Sequence, residues 1–236
     1  MSFLAEPALE ELPQLLLILD DEHAHGSIVA APHERTVSLI GPHSQPSRNL
    51  VRVTHDTIVA LAAAGVAGQA LVALAVGTGA AAIVGVRGPL RALRRLLWGS
   101  ELWAAFLVAA IATGGSLFFS EIARFPPCEL CWYQRICAYP LSLVTLLAAL
   151  AGDFRVARYL LPLPVVGAGV SIYHLLVENG VVGESSACVA SAPGGCAVEW
   201  IDEFGYVTIP TLALTGFLLL AGLLLLAAAG EGPAGV

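Results

Sequence analysis

The sequence predicts an all-α, multi-pass membrane protein: an antiparallel four-helix bundle core with one additional N-terminal transmembrane helix. Three observations carry that reading. Of 236 residues, 57% are hydrophobic and only 12% charged, whereas a water-soluble domain carries about 25% charged residues. The mean hydropathy is +0.80, which places most of the chain in lipid. Uncharged runs of 17 to 30 residues recur at 57–86, 102–120, 136–152, 159–177 and 206–230, against the ~20 residues that cross a hydrocarbon core as a helix.

The runs are read as helices because lipid offers no partner to a free backbone amide or carbonyl. Run 57–86 is rich in Ala and Gly and is expected to span. Run 136–152 is short, and Trp132 and Tyr133 extend it as interfacial residues. Run 159–177 is interrupted by Pro162 and Pro164 and carries His174. Run 206–230 ends in a Leu/Ala block. The expected organisation is an acidic N-terminal tail over 1–56, an extra transmembrane helix over 57–86, a basic cytoplasmic loop over 87–100 and a four-helix membrane domain over 101–230.

Arginine placement gives the orientation. Arg87, Arg91, Arg94 and Arg95 follow the first run, and Arg155 and Arg158 separate the third from the fourth. Both segments are expected on the cytoplasmic side. The segments 121–135 and 178–204 then face outward, the second with five acidic residues and no basic one. Each holds a cysteine pair, Cys128/Cys131 and Cys188/Cys196, so both pairs fall on the oxidising side. The net charge is -7 and no lysine is present, which excludes nucleic acid as a partner. Glu6, Glu10 and Glu11 stand where a secretory signal would be basic, so insertion is expected to rely on the spans themselves. In the tail, 9–19 is read as a short amphipathic helix, 37–40 and 50–53 as short strands and 41–47 as a loop. If 57–86 spans, the tail lies outside.

The informative stretch is Phe125-Pro126-Pro127-Cys128-Glu129-Leu130-Cys131-Trp132-Tyr133-Gln134-Arg135. A Cys-x-x-Cys pair can close a small redox-active disulfide, and the two prolines stiffen the approach. A helix starting near Cys131 would stabilise a thiolate there through its unpaired amides. Arg135, one turn further on, favours the same thiolate and can hold a polar head group such as a quinone carbonyl. Cys188 and Cys196 lie in Ser-Ala-Cys-Val-Ala-Ser-Ala-Pro-Gly-Gly-Cys, read as a flexible external loop whose mobile disulfide suits thiol exchange. By spacing and topology alone three readings stay open: a redox relay, two structural disulfides, or a four-thiolate zinc site.

Pro-Cys-x-Leu-Cys-x-x-Gln-Arg followed by Tyr139-Pro140 resembles the active-site signature of the DsbB/BdbC disulfide bond formation family. The resemblance covers about residues 101–229 and includes the second cysteine pair, Tyr173-His174, Phe204-Gly205 and Ile209-Pro210. It implies a quinone-dependent thiol oxidase of the bacterial cytoplasmic membrane. Cys188/Cys196 would oxidise a DsbA-like thioredoxin-fold partner, Cys128/Cys131 would reoxidise that pair, and a membrane quinone (ubiquinone or menaquinone) would take the electrons. The resemblance puts Cys131 nearest the quinone ring, with Arg135, Gln134 and His174 at the quinone pocket, and no metal. Only seven residues separate Cys188 from Cys196, as in the compact BdbC type, which speaks against an interfacial helix between them. Proteins resembling the vitamin K epoxide reductase relatives are the alternative, but those place their Cys-x-x-Cys late. A membrane scaffold with structural disulfides is the non-enzymatic alternative. Cys137 is read as a small buried hydrophobe. His23, His25, His33, His43 and His55 are read as solvated, and residues 1–100 have no counterpart in the family core.

Overall fold

The computed structural model describes residues 48–230, so the readings over 9–19, 37–40 and 41–47 lie outside the described residues. Among the described residues no β-strand occurs, only an isolated antiparallel bridge between Glu203 and Val207. Five helices are long and apolar enough to cross a membrane.

The first helix, α1, runs Arg48–Ile83. It absorbs residues 50–53, which the sequence reading made a strand. Val51 and Val53 favour strands locally, but a helix already nucleated adds one hydrogen bond per residue as it grows. Gly85, at φ +98°, turns the chain into α2, Gly88–Leu97, with Pro89 in its first turn. The expected basic loop is thus largely an amphipathic helix. Leu90, Leu93 and Leu97 form a stripe at helical spacing, with Arg91, Arg94 and Arg95 on the adjoining face.

The core follows. Helix α3, Glu101–Leu117, continues into a π-helical turn, Phe118–Ile122. Helix α4 spans Glu129–Ala151 and ends on Gly152 in the left-handed conformation, the usual helix stop. Pro140 inside α4 points to the outside of the bundle. A short α5, Val156–Leu160, leads into α6, Pro162–Glu178. Pro162 and Pro164 occupy the first turn of α6, where a missing amide costs little, so together they shape the span without interrupting it. A short α7, Ser186–Ser191, precedes α8, Ile209–Ala229.

Helix α3 packs on α4 and α8, and α6 packs on the same two, which closes a four-helix ring. Its core interleaves Leu102, Ala105 and Ala109 of α3, Cys137 and Leu141 of α4, Ala168 of α6, and Phe217, Leu220 and Leu224 of α8. Cys137 is therefore a core residue. Small side chains allow close helix approach where lipid provides no hydrophobic drive. A Cβ on Gly167 would meet the Phe217 ring at 2.5 Å.

Helix α1 stands outside the ring against α8. Gly65 faces Leu212 and Gly68 faces Thr215, so the two helices run parallel. Tyr206 Oη donates to Gln69 Oε1 at 3.0 Å. At the other end, Arg94 Nη2 donates to the Ala229 carbonyl at 2.8 Å. A cation there complements the negative end of the α8 dipole.

Candidate active site

The end of α3, the start of α4, the end of α6 and the start of α8 meet at one end of the bundle, and both cysteine pairs sit there. Cys128, Leu130, Val177, Cys188, Ala192 and Cys196 form a buried apolar cluster of their own. The loop entering it is braced by aromatic rings: Phe119 stacks on Phe125, and Phe125 on Trp200. Arg124 is held at φ +62°, a left-handed conformation that bends the chain sharply out of the π-turn. The Phe125 amide donates back to the Phe119 carbonyl at 2.9 Å.

Helix α4 starts at Glu129, earlier than the sequence reading expected, and this moves the thiolate position. Cys128 is the N-cap, and its sulfur accepts from the Cys131 amide at 3.3 Å. The two sulfurs are unbonded and 2.8 Å apart. The Cys128 thiol is pulled from an ordinary 9.0 down to about 5. Its hydrogen bond with Cys131 contributes most; burial opposes it, and His174 adds a hydrogen bond and a favourable field. The stabilised thiolate belongs to Cys128 rather than Cys131.

His174 is buried and fixed from both sides. Its Nε2 lies 3.0 Å from the Cys196 carbonyl and 3.7 Å from Cys128 Sγ. A carbonyl can only accept, so Nε2 carries the proton and points between these two groups. The other ring nitrogen, Nδ1, is 3.5 Å from Gln134 Nε2. Gln134 also donates to Ser171 Oγ at 3.2 Å, and Ser171 donates to the Gly167 carbonyl at 2.8 Å. Gln134 thus orients the histidine that faces Cys128.

Arg135 is buried, with 9% of its surface exposed. Its Nε donates to Ser116 Oγ at 3.0 Å and its Nη2 to the Ser116 carbonyl at 3.1 Å. The guanidinium lies 5.1 Å from the Trp132 ring centroid. Nη1 makes no hydrogen bond among the described residues. Arg135 and Cys131 line a cavity of about 370 Å³ between α1, α3, α4 and α8 whose wall is almost entirely apolar. Cys128 does not line it. The two sulfurs of one pair therefore differ in their surroundings: both pack on the cluster that holds the second pair, Cys128 within it and Cys131 at its edge, but only Cys131 also lines the cavity.

That second pair is a disulfide, Cys188–Cys196. Both cysteines are buried, so the segment is a packed structure and not the mobile loop expected from its Gly, Pro and Ser content. A short helix, α7, lies here after all, with Cys188 on it. Ser185 caps α7 by accepting from the Cys188 amide at 3.1 Å. Ser191 Oγ accepts from the Glu129 amide at 3.0 Å, which ties α7 to α4. Glu184 Oε1 accepts from the Cys196 amide and, at 2.8 Å, from the Ala197 amide. Gly195, at φ +73°, is pressed against that carboxylate, and Gly194 at φ +84° precedes it. Glu184→Ala removes the acceptor for two amides and is expected to cost about 2 kcal/mol. Its thermal midpoint should fall and dithiothreitol should reduce Cys188–Cys196 faster; an unchanged midpoint and rate would refute this role.

The closed Cys188–Cys196 bond removes two thiols from the four-thiolate zinc reading. Cys128, Cys131 and His174 do bring three ligand atoms within 4.8 Å of one another. Sequence reasoning missed Ser116, Ser171 and Glu184. Single polar residues in apolar or Gly-rich stretches carry no spacing signal, and only the packing shows what they hold.

Fold and site together define a class: a multi-pass membrane protein with a Cys-x-x-Cys dithiol at a helix N-terminus, packed against a second, disulfide-bonded pair. Residues 95–227 match the family described as disulfide bond formation protein DsbB, and the chain belongs to that family. Disulfide bond formation protein C of Bacillus subtilis is 50% identical over 121 residues, covering 50% of this chain and 86% of that protein. A probable disulfide formation protein of Deinococcus radiodurans is 42% identical over 132 residues, covering 53% of this chain and 86% of the other. One from Coxiella burnetii is 38% identical over 135 residues, covering 56% and 90%. No solved structure matches the chain. The family match settles the choice against the vitamin K epoxide reductase relatives.

Proposed function

We propose that the protein is a quinone-dependent thiol oxidase that recharges a DsbA-like thioredoxin-fold partner outside the bacterial cytoplasmic membrane. The arginines of α2, and Arg155 and Arg158 at and within α5, face the cytoplasm in this reading, by the positive-inside rule. Both cysteine pairs are then extracytoplasmic.

The observation that carries the reading is the division of labour between the two inner sulfurs. Cys131 opens on the apolar cavity, and Cys128 faces the Cys188–Cys196 cluster. The cavity fits a lipid-soluble quinone: an apolar wall for ring and chain, one thiol, and the free Nη1 of a guanidinium that cannot deprotonate. When bound, the quinone accepts two electrons and two protons and leaves as quinol. The chain's residues manage the rest. A partner dithiol reduces Cys188–Cys196 and is itself oxidised to a disulfide. A thiolate of the loop pair then attacks Cys128 in the Cys128–Cys131 disulfide, and Cys131 leaves as thiolate toward the cavity. The remaining loop thiol displaces Cys128, which restores Cys188–Cys196 and leaves the inner pair reduced. His174 Nε2–H and the Cys131 amide stabilise the thiolate on Cys128.

The test is reconstitution of the purified protein with quinone and a reduced thioredoxin-fold dithiol, followed by quinone absorbance. Quinone should be consumed one for one with partner dithiol; no consumption refutes the reading. Arg135→Ala should raise the quinone concentration at half-maximal rate about tenfold, the loss expected for one charge-assisted hydrogen bond. An unchanged value refutes the role given to Arg135.

A further inference from the structure

The family match begins at residue 95, so α1 lies wholly outside it. Yet α1 supplies one wall of the cavity that holds Cys131 and Arg135, through Leu61, Ala64, Ala67 and Leu71. From Leu61 to Leu71 a helix rises about 15 Å, much longer than a single quinone ring. The cavity is therefore elongated, with Cys131 and Arg135 toward the Phe119–Phe125 end and Thr215 a further polar group beside Gly68. Arg135, which lines the cavity, is more than nine-tenths buried, and its Nη1 makes no hydrogen bond among the described residues, so it is available to a ligand that accepts a hydrogen bond. Away from that end, α1 touches α8 through Gly65 and Gly68, and its alanines leave the intervening space open. In a bundle lacking α1, the same faces of α3 and α8 would meet lipid, and any ligand tail would be exchangeable with acyl chains.

We propose that α1 is a specificity element: it encloses the apolar chain of the electron acceptor between α1, α3 and α8, and so makes affinity depend on that chain. This rests on the quinone reading of the site and adds to it a binding partner for the tail. Bulk placed on the cavity face of α1 should exclude a prenyl chain and leave the head group's place intact. Ala63, Ala64 and Ala67 are all exposed, but only Ala64 and Ala67 line the cavity.

The experiment uses the full chain in detergent, with binding read by quenching of tryptophan fluorescence, since Trp200 lines the cavity. The probes are a quinone carrying four isoprene units and the same head group carrying a methyl. The wild type is expected to bind the prenylated quinone at least about tenfold more tightly, and the doubly substituted Ala64→Phe, Ala67→Phe protein to bind the two about equally. The methyl quinone should bind both proteins alike, and Ala63→Phe should match the wild type. Unchanged preference for the prenylated quinone in the double variant overturns the role of α1 and leaves the quinone reading standing. Equal weakening of both probes also overturns it, by showing that the substitutions act on the fold. Failure of both probes to bind the wild type overturns the quinone reading itself.

Discussion

Cys131→Ser is expected to abolish electron transfer from a dithiol partner to quinone, by about 10³-fold or more, because the proposed relay is broken at the one sulfur among the described residues that lines the cavity. The fold should survive, since Cys131 is half-buried at the first turn of α4 and serine occupies nearly the same space. Cys128 is then left without its resolving neighbour while it remains packed with Cys188 and Cys196. A Cys128 thiolate attacking Cys188–Cys196 forms one disulfide and breaks one, freeing the other loop thiol. The variant should therefore accumulate a covalent link between the 128 segment and the 188–196 segment, visible as a joined peptide after non-reducing digestion. Cys128→Ser should lose activity to the same extent but show no such link. Turnover near wild type in either variant would sink the relay, and absence of the linked peptide would sink the geometry assigned to Cys128.

The second large effect is on pH. Cys128 is drawn from an ordinary 9.0 to about 5, so its alkylation by iodoacetamide in the reduced protein should be nearly flat above about pH 6. Below pH 5 the rate should fall about tenfold per unit as the thiolate is protonated. The folded-state value is depressed, so the linked stabilisation of the reduced protein is complete above the ordinary thiol value and is lost as pH falls through about 5. Removing the Nε2–H that faces the sulfur, by His174→Phe, should move the alkylation midpoint up by about one unit. A wild-type midpoint near 9 would contradict the arrangement of Cys131, His174 and the α4 terminus around Cys128.

Much of this was legible in the sequence because lipid is a strict solvent. Long uncharged runs have one fate there, so the five spans and the common end of both cysteine pairs could be read from composition and arginine placement. Cys128, Cys131, Gln134, Arg135, His174, Cys188 and Cys196 also meet in one region, but His174, expected at the quinone pocket, faces Cys128 and Cys196 and does not line the cavity. What escaped were features decided by packing. The start of α4 at Glu129 rather than near Cys131 moves the stabilised thiolate from Cys131 to Cys128, and no residue type announces that shift. Gly194 and Gly195 read as slack, yet they let the backbone close onto Glu184. Val51 and Val53 look like strand residues until the helix that contains them is seen whole.

The contact between α1 and α8 has a consequence for how the protein is made. Gln69 meets Tyr206, 137 residues downstream, so α1, which can already pack Ile58 and Leu61 against Phe118 and Phe119, waits for α8 before Gly65 and Gly68 find their neighbour. During that wait its small-residue face is bathed in lipid tails, which are as apolar as the helix it will later meet. Delay is therefore cheap, but it orders assembly: the four-helix ring can close on itself, whereas the contact between α1 and α8 that completes the chamber beside Cys131 forms only once α8 has been made. A nascent chain carries Cys128 and Cys131 well before the cavity beside them is finished.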